Sequence, residues 1–361
     1  LSTRGLGYPV QPQDARSRGL GGVSLGYPAG EISWFSPGGF IGLLAPALVA
    51  SYQYDHFDAD PGAGEFSGRT ARFPLILAGF PFGERVVAFA GYGGFLDQTW
   101  RIEDSETLDL ADEQVPVTNR FSSDGGVARL RIGGAYEIAE GLGVGVGLDA
   151  YTGTVERVQG RIFPHEPVPR CCRATWNYSG VGLTAGAHWS PGEATGLAIS
   201  VSYGGALDAT PVDTVGAPAT YDLPLLVRGG ASGRISQNTL VAVSGGWDGW
   251  SSLDAALAAE GGAHDSWSAH AGLEWDAITL RERPVPLRFG ARAGTLPFRW
   301  RPEDGNEGVS ERAATGGVGV LFAGGAVRSD LAVEVGSRGG ETAGIEESFW
   351  RFGFSVRVLG R

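Results

Sequence analysis

The sequence predicts an all-β protein: a 14-stranded antiparallel transmembrane β-barrel with an N-terminal hatch in its lumen. Three observations support this fold class. Large apolar residues alternate with small or polar ones over segments of about ten residues, a length typical of membrane strands. Short and long connections also alternate along the chain. Glycine makes up 60 of the 361 residues, well above the roughly 7% of average proteins.

The alternation is clearest near the C-terminus, where every second residue is large and apolar: Trp350, Phe352, Phe354, Val356 and Val358. The residues between them are polar or small, and successive side chains of a strand point to opposite faces. A soluble β-sandwich would bury the apolar face against a second sheet, whereas a membrane barrel turns it to lipid. Strands of soluble sheets most often have about five or six residues, so the longer segments favour the membrane barrel.

The connections between these segments indicate the number of strands. Six short turns and seven longer polar connections, among them residues 103–123, 162–174 and 252–265, make thirteen connections and therefore fourteen strands. Bacterial barrels have even strand numbers, short periplasmic turns and longer outer loops. We therefore expect both termini on the periplasmic side and the longer connections on the outer side.

Composition and motifs argue against several classes of protein. The net charge of −12, without a basic stripe, argues against a nucleic-acid partner. The sequence has no HExxH or P-loop motif, so we expect no enzyme activity, no catalytic residues and no cofactor. The chain starts at Leu1 and contains no Met, which predicts an exported protein whose signal peptide has been removed.

Residues 1–40 differ from the rest of the chain, because they are rich in glycine and lack regular alternation. Several of their apolar side chains need burial, which favours a hatch that threads the lumen over a loose periplasmic tail. We therefore divide the chain into an N-terminal hatch of residues 1–40 and a transmembrane barrel of residues 41–361. The side chains expected to seat the hatch or to contact a ligand are Leu20, Trp34, Phe35 and Pro37.

The same segment carries a family resemblance. The run RSRGLGGVSLG from Arg16 to Gly26, followed by WFSPGG from Trp34 to Gly39, resembles the N-terminal hatch of the FadL-like outer-membrane transporters. That family usually has an Asn-Pro-Ala-Gly element, and this chain has Ser36 in place of the Asn. The resemblance implies a bacterial outer-membrane protein that passively transports hydrophobic, fatty-acid-like compounds. Its implied partners are a hydrophobic small molecule and outer-membrane lipids.

In the FadL-like family, a kink in the third strand opens a lateral hole in the wall. The third predicted strand here runs from about Arg85 to Arg101 and contains Gly91, Gly93 and Gly94. Glycine inside a strand suggests a bulge, a bend or a close backbone approach. We interpret these three residues as the lateral-gate kink, and the alternative is that they only reflect the general abundance of glycine.

Six charged residues within the predicted strands are expected to face the lumen: Arg129, Arg131, Glu137, Asp149, Arg228 and Glu334. A charge that faces lipid near the middle of the membrane costs about 2–4 kcal/mol. The expected role of these residues is to form salt bridges with the hatch or with each other. Lining a substrate path is the alternative role.

Two features suggest weaker candidate sites. Cys171 and Cys172 are adjacent in a predicted outer loop, where a strained disulfide between them, or bonds to another chain, would be compatible with an exported protein. The carboxylates of Asp104, Asp109 and Asp112 form a weak calcium candidate. A solvated loop face explains this acidic run equally simply, so we assign no metal site.

A second function hypothesis keeps the barrel and changes its role. Barrels that resemble the shuttle subunit of type IX secretion (PorV-like) share the hatch and the strand count but bind protein partners. The predicted outer loops are short for a surface that captures a substrate, which favours this structural or docking role with other envelope or surface proteins. A simple diffusion pore is a third hypothesis, and the predicted hatch argues against it.

Overall fold

Fourteen antiparallel strands close into one barrel, as the sequence predicts. The computed structural model describes residues 2–28, 30–60, 66–110, 113–164, 166–192, 194–212, 216–258, 261–280, 283–300, 308–340 and 343–360. Two strands that are far apart in the sequence complete the circle. The last strand pairs with the first wall strand from Leu359↔Ala47 to Glu346↔Asp60, so the sheet has no open side seam there.

The strands, in chain order, are β1 (Tyr8–Pro9), β2 (Ala47–Asp60), β3 (Phe66–Phe82), β4 (Val86–Asp97), β5 (Trp100–Leu110), β6 (Glu113–Ala139), β7 (Leu142–Phe163), β8 (Glu166–Trp189), β9 (Thr195–Tyr203), β10 (Ala206–Pro211), β11 (Ala219–Asp222), β12 (Leu225–Ser236), β13 (Thr239–Asp248), β14 (Ser266–Leu280), β15 (Arg283–Thr295), β16 (Ser310–Phe322), β17 (Val327–Gly340) and β18 (Ile345–Leu359). The wall consists of β2, β3, β4, β6 to β9 and β12 to β18. Among the described residues, the helices are one short α-helix, α1 (Ala15–Gly19), and three 3-10 helices, Pro37–Phe40, Trp250–Leu253 and Ala323–Gly325.

The two faces of the wall have opposite character. In β6, Leu130 and Ile132 are 48% and 64% exposed, whereas Arg129 and Arg131 beside them are 3% and 2% exposed. The apolar face therefore points outward and the charged face inward, which is the arrangement of a membrane barrel and the reverse of a soluble one. Among the described residues, no helix is long and apolar enough to cross a membrane.

Two of the predicted outer loops are wrong, because the structure has strands there. Residues 103–110 and 113–123 belong to the β5–β6 hairpin, whose strands pair from Leu110↔Glu113 to Trp100↔Ser123. Residues 162–174 belong mostly to β7 and β8, which pair out to Phe163↔Glu166. Their charged side chains suggested loops, but many of these charges pair across strands, as in the 2.8 Å bond from Arg120 to Glu103.

Residues from the N-terminal segment pack against the strands of the wall. The N-terminal segment is buried over most of its length, and four clusters of buried apolar residues lie within the described part of the chain. Helix α1 contacts β15, β16, β17 and β18, and the 3-10 helix Pro37–Phe40 contacts β6, β7, β8 and β9. These contacts place the N-terminal segment against the inner face of the barrel from two sides.

Candidate functional site in the barrel interior

The N-terminal segment is anchored by a short capped helix. Asp14 precedes α1, and its side-chain oxygen accepts a hydrogen bond of 2.8 Å from the backbone N–H of Ser17. This cap satisfies one of the free N–H groups at the start of the helix. Leu20 follows the helix and is 0% exposed, in a cluster with Leu240 of the wall. The structure therefore buries Leu20, one of the four side chains predicted to seat the hatch.

Glycines on the inner face let this segment approach the wall backbone. A Cβ at Gly290 of β15 would lie 2.1 Å from the backbone nitrogen of Gly21, and one at Gly272 of β14 would lie 2.4 Å from the Leu20 carbonyl oxygen. At Gly145 of β7, a Cβ would lie 2.4 Å from the Pro37 carbonyl. The abundance of glycine in the sequence therefore has a specific cause at these positions, which is contact between two backbones.

A chain of ion pairs joins the segment to the wall. Arg16 donates two hydrogen bonds of 2.9 Å to Glu274, and Glu274 also accepts one of 2.6 Å from Arg288. Arg288 binds Asp330 at 2.8 Å, and Arg328 binds the same carboxylate at 2.9 Å. Because these groups are almost completely buried, their charges balance one another rather than being screened by solvent.

Glu31 closes this ion-pair chain on the segment side. It pairs with Arg16 at 3.1 Å, with Arg328 at 3.2 Å and with Arg357. Burial alone would raise the pKa of Glu31, but the three guanidinium groups hold that pKa well below its usual range. Glu31 is therefore an ionised carboxylate that links three arginines.

A second ion-pair network lies near the short strand β1. Arg351 binds Asp55 at 2.6 Å and Glu334 at 2.9 Å. Arg292 binds Glu334 at 2.6 Å and also pairs with Glu311. The Tyr8 hydroxyl donates a hydrogen bond of 3.0 Å to Glu311, so β1 is tied to this network. Of the residues in this network, only Glu334 was identified from the sequence as an inward-facing charge.

Trp34 lies beside two of the predicted lumen charges, Arg129 and Arg131. Arg131 holds Asp149 through two hydrogen bonds of 2.6 and 2.8 Å, and it donates a third of 2.7 Å to the Trp34 carbonyl oxygen. The guanidinium of Arg131 lies 4.4 Å from the centre of the Trp34 ring. The Arg129 guanidinium lies 5.4 Å from the same ring and 4.9 Å from the Phe95 ring. The structure therefore brings together Trp34, Arg129, Arg131 and Asp149.

The other predicted lumen charges lie apart from this group. Arg228 is buried, forms an ion pair with Asp248 and lies 5.8 Å from the Phe35 ring. Glu137 is only half-buried, and its carboxylate accepts a hydrogen bond of 2.8 Å from the Gly141 N–H at the turn between β6 and β7. Glu137 therefore closes a turn and contacts no other lumen charge in the described structure.

The predicted kink coincides with an interruption in the wall. Strands β3 and β4 pair from Phe82↔Val86 to Leu75↔Gly93, and no pairing between them continues beyond Gly93 in the described residues. The register of β4 against β6 shifts between Gly94 and Leu96. Residues 66–72 of β3 still pair with β2, so β3 continues while its contact with β4 has ended. We call this interruption the β3–β4 gap.

Strand β1 occupies part of the edge that β3 leaves free. Tyr8 and Pro9 pair with Asp97 and Leu96, and the Val10 N–H donates a hydrogen bond of 2.8 Å to the Phe95 carbonyl oxygen. Gly91, in contrast, pairs regularly with Leu77 of β3. Of the three predicted kink glycines, Gly93 and Gly94 therefore lie at the interruption. Gly91 lies within the regular pairing of β3 and β4.

A cavity of about 500 Å³ lies at the β3–β4 gap. Its lining includes outward-facing side chains, among them Phe73 and Thr152, and also Val10 and Leu96, which are buried on the interior side. Pockets of about 300–1,000 Å³ are typical of small-molecule sites. The cavity is therefore large enough for a small hydrophobic molecule and borders both faces of the wall.

The largest apolar cluster lies next to this cavity. Its buried members are Leu6, Phe95, Leu96, Val127, Tyr151, Val155, Tyr178, Leu207, Ala209, Leu223, Trp250, Leu253, Leu257, Ala263 and Phe298. Leu96 and Val127 belong both to this cluster and to the cavity lining. The expectation that residues 252–265 form an outer loop is therefore wrong in part, because Leu253 and Leu257 point into the barrel.

The remaining candidates are two cysteines and an acidic run. Cys172 is a free, exposed cysteine in β8, which does not support the suggested Cys171–Cys172 disulfide. The side chain of Cys171 lies outside the described residues. No group of three metal-ligating side chains occurs among the described residues. Asp104 and Asp109 lie in β5, and Asp112 lies outside the described residues.

Solved structures with a similar fold include a FadL homologue and two proteins described as a toluene transporter and a monoaromatic hydrocarbon channel. A FadL homologue of Pseudomonas aeruginosa matches with a TM-score of 0.67 and 11% identity, over 98% of this chain and 99% of that one. The toluene transporter TodX of Pseudomonas putida matches with a TM-score of 0.60 and 13% identity, over 97% and 99%. The monoaromatic hydrocarbon channel CymD gives 0.58 and 16%, over 96% and 97%. No protein-family model and no curated protein sequence matches the chain.

Proposed function

We propose that this protein is a bacterial outer-membrane channel for the passive transport of hydrophobic compounds. Its barrel fold is that of FadL-type channels. The observation that carries the proposal is the β3–β4 gap, where a cavity of about 500 Å³ borders both the lipid-facing and the interior side of the wall. In this proposal both termini lie on the periplasmic side, and no cofactor or covalent step is needed.

The N-terminal segment acts as a hatch in this proposal. Arg16 and Glu31 bind wall residues through buried ion pairs, and Leu20 and Trp34 are almost fully buried. A polar solute that crossed the lumen would have to displace these contacts and separate buried opposite charges, which is costly. A hatch held in this way excludes polar solutes and supports a route that avoids the axis of the barrel.

Hydrophobic molecules would follow a different route. The apolar cluster around Phe95 and Tyr151 meets the gap cavity at Leu96 and Val127. A hydrophobic molecule gains about 25 cal/mol for each Å² of apolar surface that leaves water, so it favours first this cluster and then the membrane interior. Exit through the β3–β4 gap would take it past the Arg72–Asp97 ion pair, which lines the cavity, and into the membrane without displacing the ion pairs of the N-terminal segment.

The substitution Ala128→Trp tests this lateral route. Ala128 lies in β6 and lines the gap cavity, so an indole at this position would fill much of its volume. Ala185→Trp is the matched control, because Ala185 is an exposed residue of β8 that lines none of the described cavities. The measurement is uptake of a labelled hydrophobic compound, toluene or a long-chain fatty acid, into liposomes that contain each variant.

We expect Ala128→Trp to reduce uptake at least severalfold and Ala185→Trp to leave it unchanged. Equal uptake by Ala128→Trp and the wild type would rule out the gap as the exit. If the wild type takes up no more of either compound than protein-free liposomes do, transport itself is excluded, and the docking hypothesis takes its place.

A further inference from the structure

Strands β5 to β8 extend beyond the apolar outer band of the wall. A membrane strand needs about 9–11 residues, but β6, β7 and β8 have 27, 22 and 24 residues. In β6 the large exposed apolar side chains run from Ile138 to Leu130, and the strand continues to Glu113 at its other end. The part beyond the band, which we call the projecting sheet, consists of β5 and residues 113–125 of β6, 155–163 of β7 and 166–176 of β8.

The projecting sheet ends in a free edge at β5. Strand β5 pairs with β6 from Leu110↔Glu113 to Trp100↔Ser123, and no other pairing of β5 occurs among the described residues. Strand β4 precedes β5 along the same side of β6, up to Asp97↔Gly126, so β4 does not cover this edge. Strand β3 does not cover it either, because its pairing with β4 ends at Leu75↔Gly93.

The opposite edge of the projecting sheet, at β8, is free as well but is better protected. Strand β10 pairs with β8 only as far as Pro211↔Trp176, and residues 166–174 have no further strand beside them in the described part of the chain. This stretch contains Pro167 and Pro169, and proline has no backbone N–H to offer to another strand. Proline is one of the devices that keep edge strands from pairing with other chains.

Strand β5 lacks two of these protective devices. Its 11 residues include no proline, and its register against β6 has no shift that would indicate a bulge. In an antiparallel strand about half of the backbone N–H groups point to each side, so one side of β5 presents an unpaired row of donors and acceptors. A row of this kind is a template for an added strand.

The charges of β5 select what can be added. The strand carries four carboxylates and one guanidinium: Glu103, Asp104, Glu106, Asp109 and Arg101. Arg120 pairs with Glu103 and Arg161 pairs with Glu106. Asp104 and Asp109 are exposed and form no ion pair among the described residues. Two copies of β5 side by side would place like charges opposite each other, which is unfavourable, whereas a basic strand would complement them.

Apolar side chains on one face of the hairpin offer a second kind of contact. Ile102 lies opposite Phe121, and Leu108 lies opposite Val115. All four side chains are only half-buried. Side chains directly opposite on neighbouring strands lie about 4.5–5.5 Å apart at Cβ and interact. Alternate apolar side chains of an added strand would therefore pack beside Ile102 and Leu108.

We propose that the free edge of β5 is a docking site for an extended segment of another protein, rich in lysine or arginine, which adds to the projecting sheet as an antiparallel strand. Backbone hydrogen bonds along β5 hold the segment, and its basic side chains pair with Asp104 and Asp109. The inference goes beyond the proposed transport function, because β5 lines none of the described cavities.

The first test measures peptide binding to the full chain in phosphatidylcholine nanodiscs, with empty nanodiscs as the correction for lipid. The probe is a labelled peptide of alternating lysine and valine with the length of β5, 11 residues. One control peptide has glutamate in place of lysine, and another has the lysine–valine sequence with every second backbone nitrogen methylated. We expect only the unmodified lysine–valine peptide to bind. Binding of the methylated peptide with equal affinity, or no binding of any peptide, would overturn the proposal.

Charge reversal locates the site on β5. We expect Asp104→Lys/Asp109→Lys to weaken binding of the lysine–valine peptide about tenfold, because two exposed ion pairs are replaced by repulsion. The matched control is Asp208→Lys/Glu346→Lys, which makes the same change at exposed residues of β10 and β18 and should leave the affinity unchanged. Equal weakening by both double variants would mean that the peptide responds only to the overall charge, and would refute the site.

Hydrogen exchange then distinguishes an added strand from a peptide held by charge alone. With saturating lysine–valine peptide, we expect about half of the N–H groups of residues 100–110 to exchange at least about tenfold more slowly. Residues 166–174 of β8 should be unaffected. Unchanged exchange in β5 would contradict strand addition. Sedimentation of the wild type in detergent tests the other occupant, because oligomers that Asp104→Lys/Asp109→Lys abolishes would assign the edge to a second copy of this chain and overturn the proposal.

Discussion

The Arg16 guanidinium of the N-terminal segment and the Glu274 carboxylate of β14 form two hydrogen bonds of 2.9 Å, although the residues are 258 positions apart in the sequence. Both side chains are less than 10% exposed. A buried ion pair adds little over a well-packed apolar pair, but the loss of one partner leaves an uncompensated buried charge. The pair therefore fixes the position of the segment more than it raises the stability of the barrel.

Removing one charge of this pair should be strongly destabilising. We expect Glu274→Gln to lower the free energy of unfolding by about 3–5 kcal/mol, because it leaves Arg16 and Arg288 without their shared carboxylate. The double variant Arg16→Leu/Glu274→Leu removes both charges and should lose less. Urea unfolding in lipid vesicles, followed by tryptophan fluorescence, measures both changes. A larger loss in the double variant than in Glu274→Gln would contradict this interpretation.

The contribution of Glu31 should depend on pH. Three guanidinium groups hold its pKa below the usual range, so its stabilising effect is fully present above the ordinary carboxyl pKa of about 4.3. The effect is lost as the pH falls from that value towards the lowered pKa. We expect the difference in unfolding temperature between the wild type and Glu31→Gln to be constant from pH 7 to pH 5 and to shrink below about pH 4.3. Thermal unfolding followed by circular dichroism measures it, and a difference that grows on acidification would refute the assignment.

The glycines that contact the N-terminal segment should not tolerate even a methyl group. In Gly290→Ala, the new Cβ would lie 2.1 Å from the Gly21 nitrogen, and we expect a loss of about 1–3 kcal/mol from overpacking. Gly233→Ala is the matched control, because a Cβ at Gly233 has no atom within 4 Å. Hydrogen exchange of residues 15–23 should accelerate in Gly290→Ala only. The same acceleration in both variants would mean that the clash with the segment is not the cause.

The strands and the direction of their faces could be predicted from the sequence, because alternation is a local property. In β18, Phe354 is exposed, and its neighbours Gly353 and Ser355 are buried, as the alternation predicts. The partners of buried charges could not be predicted in this way. Arg16 and Glu274 meet because helix α1 packs against β15 to β18, next to the strand that carries Glu274. This placement depends on the closure of the whole barrel.

Two segments were wrongly predicted to be outer loops because they are polar, although each contains a local pattern that indicates its actual structure. Trp250, Leu253 and Leu257 are three and four residues apart, a spacing that places side chains on one face of a helical turn, yet the serines and acids around them suggested an outer loop. In the β5–β6 hairpin, Arg120 and Glu103 are charged, yet they face each other across two strands. Charged residues indicate a loop only when they are solvated, and these two charges instead pair with each other in a sheet.

The most direct test of the account measures two fluxes in the same liposomes. A hatch held by buried ion pairs, together with a lateral gap in the wall, predicts that the wild type takes up a labelled hydrophobic compound and passes no measurable ionic current. Deletion of residues 2–40 should open the lumen and produce a large conductance, because the ion pairs of Arg16 and Glu31 are then gone. A wild-type conductance as large as that of the deletion variant, or uptake no faster than in protein-free liposomes, would contradict the account.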